Sequence, residues 1–390
     1  MCRARLVELD LVVNTSGVKV VSTSALPIDL TGQVTAAVPG TVVEVPATGH
    51  VAIDGLDLAE ADALVCLLLD RIDAALLARA PKLRVVANCA VGYDNVDLAA
   101  ATTSGVCVTN TPDVLTEATA ELAFALLLAA ARRLGEGERL VRSGAWTGWA
   151  LDQLIGIGLA GKTLGIIGFG RIGQALARRA IGFGMNVIYA DPIDPRGAAH
   201  ASSLAAGESA GMEAIAPGAF PASTEPSGAG PRDATRGGVN GPALPVQRGR
   251  ESPLSIDEVF ATADAISLHC PLTTETRHLV NERRLGLMKP TAILVNTARG
   301  GCIDEAALIE ALQCGRIFGA GLDVYAREPE VPAGLIGCPR LVLAPHIGSA
   351  TTEARTAMAQ LCADAVIAAL RGHRPPNLVN NVMPPWMRRS

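Results

Sequence analysis

A short β-branched run, Leu164 to Ile167, passes directly into Gly168-Phe169-Gly170-Arg171-Ile172-Gly173 and then into a helical stretch running towards Phe183. The next run, Asn186 to Ala190, ends on Asp191, eighteen positions past Gly173. No other stretch restricts the fold as tightly. Three glycines at this spacing between strand and helix permit a sharp turn, close approach of backbone to a pyrophosphate, and close packing of helix on strand, while the helix N-terminus offers N–H donors. An acidic side chain at the end of the second strand can accept both ribose hydroxyls and would repel a 2′-phosphate, so NAD(H) is favoured. The neighbouring Arg196 keeps NADP(H) open as the alternative.

That turn belongs to a longer rhythm. Predicted strands at Val18 to Ser22, Thr41 to Val45, Ala63 to Leu68, Leu83 to Cys89 and Val106 to Asn110 alternate with helical stretches such as Ile72 to Ala80 and Val96 to Ser104. Strands separated by helices imply βαβ units and a parallel sheet. A long helix over Glu117 to Arg133 follows, and after a Trp-containing connection the alternation restarts at Thr163 to Ile167. Further strands are expected at Asn186 to Ala190, Ala265 to Leu268, Ala292 to Val295, Gly319 to Leu322 and Leu341 to Leu343, which makes two α/β modules. One stretch breaks the pattern: 39 of the 59 residues from Pro195 to Pro253 are Gly, Ala, Pro, Ser or Thr, and Phe220 is the only aromatic. Such a segment cannot bury enough apolar surface to offset its ordering entropy, so it reads as a mobile surface insertion. The first seventeen residues read as an unstructured extension.

Composition narrows the function classes. The chain of 390 residues allows two or three domains, and 49% hydrophobic residues supply ample core. A formal charge of -5 without any run of like charge argues against nucleic acid as a partner. The longest apolar helix candidate, Leu122 to Ala131, is too short for a bilayer core needing ~20 residues, so no membrane partner is expected. Met1 to Asp10 shows no secretory pattern, which leaves the cytoplasm as the expected compartment. Nine cysteines with no Cys-x-x-Cys pair resemble neither a disulfide framework nor a zinc site; they read as reduced core thiols, and no metal is expected.

Open α/β sheets bind ligands outside the carboxyl ends of their strands, so polar residues just past each predicted strand are the candidates for chemistry. In the second module these are His269, Cys270 and Pro271; then Asn296, Thr297, Ala298 and Arg299; then Asp323 with Glu328 five further on; then Pro345 and His346. An Arg, a carboxylate and an imidazole collected in one cleft suit hydride transfer to a 2-oxo acid. The guanidinium binds the substrate carboxylate, His gives a proton to the carbonyl oxygen, and Glu keeps the imidazole charged and oriented. His269, followed by apolar residues, reads as part of a packing loop bordering the cofactor.

These motifs resemble the D-isomer-specific 2-hydroxyacid dehydrogenases, most closely the glyoxylate and hydroxypyruvate reductase branch. The resemblance rests on Val91-Gly92-Tyr93-Asp94-Asn95-Val96-Asp97, on Gly161 to Gly173, on Asn296-Thr297-Ala298-Arg299-Gly300-Gly301, on Gly321 to Tyr325 with Glu328-Pro329, and on Pro345-His346-Ile347-Gly348. It covers nearly the whole chain apart from the N-terminal extension, the insertion and the last few residues.

The resemblance implies an α/β fold of two doubly wound parallel-sheet domains. A Rossmann NAD(P)-binding domain over 118–349, carrying the insertion at about 195–253, would be inserted into a discontinuous flavodoxin-like substrate domain over 1–117 and 350–390. His346 matches the family's acid/base, Glu328 its partner carboxylate and Arg299 the substrate-orienting residue. Val91 and Gly92 match the loop whose amides hold the substrate carboxylate. Cofactor contacts are expected from Gly168, Gly170, Arg171, Ile172, Gly173 and Asp191, and from the later strand ends through Cys270, Pro271, Thr276, Thr297, Ala298, Arg299, Asp323 and His346. Asp323 matches a residue beside the nicotinamide carboxamide, and Thr111 and Pro112 fall in another cofactor-adjacent loop. The implied activity is NAD(P)H-dependent reduction of a small 2-oxo acid to the D-2-hydroxy acid, in a homodimer, with Trp146-Thr147-Gly148-Trp149 resembling the segment at the dimer interface. Two alternatives are phosphoglycerate-dehydrogenase-type oxidation and an NAD-sensing scaffold like the family's corepressors. Glu328 disfavours the formate dehydrogenase branch, and the chain ends soon after its return helix, without the regulatory domain of long phosphoglycerate dehydrogenases.

Overall fold

The computed structural model describes residues 17–191 and 254–387. The insertion expected at 195–253, Arg196, and all but the last residue of the N-terminal extension lie outside them.

Among the described residues, two all-parallel sheets form. The first contains β1 (Lys19–Ser22), β2 (Val42–Glu44), β3 (Ala63–Cys66), β4 (Val85–Asn88) and β5 (Cys107–Thr109), in the order β2-β1-β3-β4-β5. The second contains β6 (Thr163–Ile167), β7 (Asn186–Ala190), β8 (Ala265–Leu268), β9 (Ile293–Asn296), β10 (Gly319–Leu322) and β11 (Leu341–Leu343), in the order β11-β10-β9-β8-β6-β7. Both are doubly wound, with the strand order reversing beside the first strand of each sheet.

The strands read as unbroken apolar runs because both faces of each sheet are covered. Alternate residues feed opposite cores: Val20, Val65, Val85 and Ala87 enter one cluster, Val21, Leu64, Cys66 and Val86 the other. In the second sheet Ile167, Leu268 and Leu294 likewise face away from Ile166, Ala265 and Ile293. Asp29, Asp73 and Asp97 start the helices of the first sheet by accepting the amides of Gly32, Leu76 and Ala100.

Two long helices cross between the sheets. Thr116–Ala131, rich in alanine, lays Ala120, Ala123, Leu126 and Leu127 on the second sheet. It comes close enough that a Cβ on Gly321 would lie 2.8 Å from Leu126 Cβ. Thr352–Leu370, started by the Thr351 hydroxyl accepting the Ala354 amide, returns the chain to the first sheet through Met358, Cys362 and Val366. The carboxyl ends of β4 and β5 in the first sheet, and of β6 to β11 in the second, carry the loops described next.

Candidate active site

The glycine turn after β6 has three separate jobs, one per glycine. Gly168 has φ +91°, and a Cβ there would sit 2.7 Å from the Cys270 nitrogen and the His269 carbonyl carbon. A Cβ on Gly173 would sit 2.4 Å from the Gly168 oxygen, so helix Arg171–Gly182 can rest on the turn only without a side chain at that point. Gly170, which caps this helix, has nothing within 4 Å of its absent Cβ, leaving the helix N-terminus open to an anion. Asp191 Oδ2 accepts the Phe169 amide at 3.0 Å, tying the end of β7 to the turn. Arg171 is paired at 2.6 Å with Asp113, on the loop after β5. Ile172 packs its side chain into the cores on both sides, so its backbone is what faces the turn.

The neighbouring strand ends complete this crevice. Cys270 is buried, and Thr276 shapes the loop beyond it by donating to the Pro271 carbonyl at 2.6 Å and accepting the Thr273 amide at 2.7 Å. His269 Nε2 meets Ser267 Oγ at 2.8 Å, and burial pushes this imidazole down to about 4, so it is neutral at physiological pH. The hydroxyls of Thr111 and Thr297 are buried without a hydrogen-bond partner among the described residues. Buried hydroxyls rarely go unpaired, and these two sit where the sequence places cofactor contacts. Open helix N-terminus, glycine cradle and orphan hydroxyls together fit a dinucleotide.

His346, Glu328 and Arg299 come from three separate loops. His346 has φ +55°, an uncommon conformation for a residue with a side chain, held by its amide donating to the Asp323 carbonyl at 2.9 Å. The buried Asp323 carboxylate then accepts the amides of Ile347 at 2.8 Å and Gly348 at 2.7 Å. Burial pushes its carboxyl above the ordinary value, and the two amides oppose that shift. So the side chain of Asp323 shapes the His346 loop.

Glu328 Oε2 meets His346 Nδ1 at 2.6 Å, and its other oxygen accepts the Tyr325 amide at 3.0 Å. Burial raises its carboxyl, but the hydrogen bonds from His346 and Tyr325 and the charges of His346 and Arg299 outweigh it and hold Glu328 below its usual range. It is therefore ionised at neutral pH.

Arg299 reaches this pair because of glycine. A Cβ on Gly300 would fall 1.9 Å from the Tyr325 carbonyl carbon, so the Arg299 loop lies directly on the segment that carries Glu328. Asn296 closes the loop by accepting the Ala298 amide and donating to the Arg299 carbonyl, both at 2.9 Å. The strand expected to end at Val295 includes Asn296 for this reason. The guanidinium donates from Nε to Asp94 Oδ1 at 2.9 Å and from Nη1 to the Ala298 carbonyl at 2.8 Å. Its Nη2 lies over Gly92, where a Cβ would come within 1.8 Å.

Val91 and Gly92 have their carbonyls held from behind, by Asn110 Nδ2 at 2.8 Å and Asn88 Nδ2 at 2.9 Å. Among the described residues neither of their amides meets an acceptor, so both are free for an anion. Asn296 was among the strand-end candidates, whereas Asn88 and Asn110 were not; each is a polar amide at or next to the end of an otherwise apolar predicted strand, which was the available signal. Among the described residues no cluster of His, Cys, Asp and Glu is arranged to hold a metal ion, and no helix is long and apolar enough to cross a membrane.

A glycine turn suited to a dinucleotide and an Arg, Glu and His cluster, all at the carboxyl ends of strands of one parallel sheet, define a nicotinamide-dependent oxidoreductase acting on CH–OH donors. Comparison with known proteins makes the class specific. The family described as D-isomer specific 2-hydroxyacid dehydrogenase, NAD binding domain, matches residues 124–217 and 243–348. The glyoxylate reductase of Thermococcus litoralis is 47% identical over 325 residues, 82% of this chain and 84% of that protein. A crystal structure from Thermus thermophilus aligns with TM-score 0.73 and 40% identity, covering 93% of this chain and 99% of the other. An NADPH-dependent glyoxylate/hydroxypyruvate reductase from Sinorhizobium meliloti, in complex with NADP and malonate, aligns with TM-score 0.69 and 29% identity, covering 96% and 100%. The chain belongs to the D-isomer specific 2-hydroxyacid dehydrogenase family.

Proposed function

We propose that this enzyme reduces a small 2-oxo acid of the glyoxylate and hydroxypyruvate type to the D-2-hydroxy acid. The observation that carries the reading is the 2.6 Å contact between Glu328 and His346 Nδ1, with the Arg299 guanidinium near enough to lower the Glu328 carboxyl. In this reading the part over 1–117 and 350–390 receives the substrate and the part over 118–349 holds the cofactor. When bound, the reduced nicotinamide supplies the hydride. Val91 and Gly92 amides together with Arg299 Nη2 receive the substrate carboxylate, which fixes the carbonyl in one orientation. His346, engaged through Nδ1, presents Nε2 to the carbonyl oxygen and gives it a proton, while ionised Glu328 stabilises the imidazolium. The His346 side chain is 24% exposed, so water can return the proton.

The dinucleotide would contact Gly168, Gly170, Arg171, Ile172, Gly173 and Asp191, with the hydroxyls of Thr111 and Thr297 gaining partners. Asp191 favours NADH over NADPH. A homodimer is supported by large apolar side chains exposed close together along the chain, Trp146 at 52%, Trp149 at 78% and Leu151 at 85%. The cytoplasm is supported by eight free cysteines, seven of them buried, among the described residues.

The decisive experiment follows oxidation of NADH and of NADPH against glyoxylate, hydroxypyruvate, pyruvate and phosphohydroxypyruvate. Brisk turnover of glyoxylate or hydroxypyruvate is expected, faster with NADH, and His346→Gln is expected to depress it about 10²- to 10⁴-fold with cofactor affinity preserved. Turnover confined to the phosphorylated acid would redirect the reading to a phosphoglycerate-type enzyme, and none at all would refute it.

A further inference from the structure

Arginine brings five N–H donors on a long flexible stem, so the edge it offers a ligand depends on what holds the others. Around Arg299 two of those edges are taken. Nε donates to Asp94 Oδ1 at 2.9 Å and Nη1 to the Ala298 carbonyl at 2.8 Å, which leaves Nη2 lying over Gly92. Asp94 stands two residues past Gly92, on the very loop whose free amides face the same region, and 205 residues away from Arg299 along the chain. That loop is itself held. Asn88 and Asn110 fix the Gly92 and Val91 carbonyls, and Asn95 donates to the carbonyls of Leu67 and Asp70.

We infer that Asp94 is a positioning residue for substrate recognition: it fixes Arg299 to the Val91-Gly92 loop, so that guanidinium Nη2 and the loop amides converge on one carboxylate. This rests on the proposed 2-oxo acid reductase reading. Ala298 alone, adjacent in sequence, travels with Arg299 and cannot set it relative to the loop. Among the described residues, Asp94 supplies the hydrogen bond that ties the guanidinium to the other lobe. Because Asp94 occupies Nε, the side-on Nε/Nη2 fork is closed to substrate, and the carboxylate is met from the Nη2 end and shared with the amides.

The test uses the full chain with Asp94→Ala, Asp94→Asn, Arg299→Ala and the Asp94→Ala/Arg299→Ala double variant. Four quantities are read: KM and kcat for glyoxylate at saturating NADH, NADH affinity by fluorescence, and the affinity of the NADH-loaded protein for oxalate, an unreactive carboxylate. Removing a charge-assisted tether is expected to raise KM and weaken oxalate about tenfold, to lower kcat by less, and to leave NADH affinity unchanged. Asp94→Asn keeps an oxygen facing Nε and is expected to recover most of the loss. In the Arg299→Ala background, Asp94→Ala is expected to add nothing, as befits a residue acting through that guanidinium.

Oxalate affinity within about twofold of the parent in Asp94→Ala, or an undiminished loss on top of Arg299→Ala, would overturn the inference. A parent that binds no oxalate would overturn it too. A parent that turns over no 2-oxo acid, yet shows the expected oxalate pattern across the variants, would remove the proposed function and leave the role of Asp94 standing.

Discussion

At the scale of single residues, the Glu328–His346 contact has a pH signature whose direction follows from the lowered Glu328 carboxyl. A carboxyl held below its ordinary value of 4.5 stabilises the folded state above that pH, and the contribution disappears as pH falls through the lowered value. Glu328→Gln is therefore expected to melt at a lower temperature than the parent at pH 6 to 8, with the gap closing below about pH 4. Thermal melts across this range check it; a gap that widens on acidification would mean that Glu328 is not held ionised by its neighbours. The same residues show what sequence reading can and cannot reach. His346, Glu328 and Arg299 stand out because each follows a strand end. Asp94 lies equally close behind β4, but its pairing with Arg299 was not readable, because a contact across 205 residues leaves no local spacing.

At the scale of elements, the packing of helix Thr116–Ala131 on β10 depends on Gly321. A methyl group there would lie 2.8 Å from Leu126 Cβ and 3.2 Å from the Leu126 carbonyl, too close without moving helix or strand. Gly321→Ala is expected to destabilise by about 1–3 kcal/mol through overpacking, read as a lower melting midpoint by calorimetry. An unchanged midpoint would mean that the helix rides higher on the sheet. Strands β6, β7, β8, β10 and β11 were legible to the residue, since each is a short, largely apolar run between turn or polar residues. Helix Leu134–Arg142 was not. It contains two glycines, which lower helix propensity, and its amphipathic spacing of Leu134, Leu140 and Val141 was passed over because the face buries no side chain in the chain's own core.

At the scale of the molecule, that same unburied helix leads, among the described residues, into a run of exposed apolar side chains. Leu134 is 63%, Val141 60%, Trp149 78% and Leu151 85% exposed, within one stretch of chain. Large aromatic and aliphatic anchors of this kind dominate protein interfaces. Sedimentation is expected to give two chains per particle, and Trp149→Glu with Leu151→Glu to give one; a parent that sediments as a single chain would remove the dimer. Chemistry at the strand ends was visible in the sequence because open sheets bind ligands there whatever their loops contain. Assembly entered only through the resemblance, as a homodimer with Trp146 to Trp149 at its interface, because no periodicity encodes which exposed surface a partner covers.

The long helix that returns to the first sheet also has a consequence for biosynthesis. β5 ends at Thr109, whereas the helix that shields Val20, Val65, Val85 and Ala87 begins at Thr352. At ~5–20 residues per second, the ribosome needs roughly ten to fifty seconds to make the intervening polypeptide. For that interval this side of the nascent sheet has only Leu30 and Val34 of the first helix and Leu115 as buried native cover, while the dinucleotide-binding module gathers its own core through to Leu341. The enzyme thus emerges centre first, with its earliest strands waiting for its latest helix.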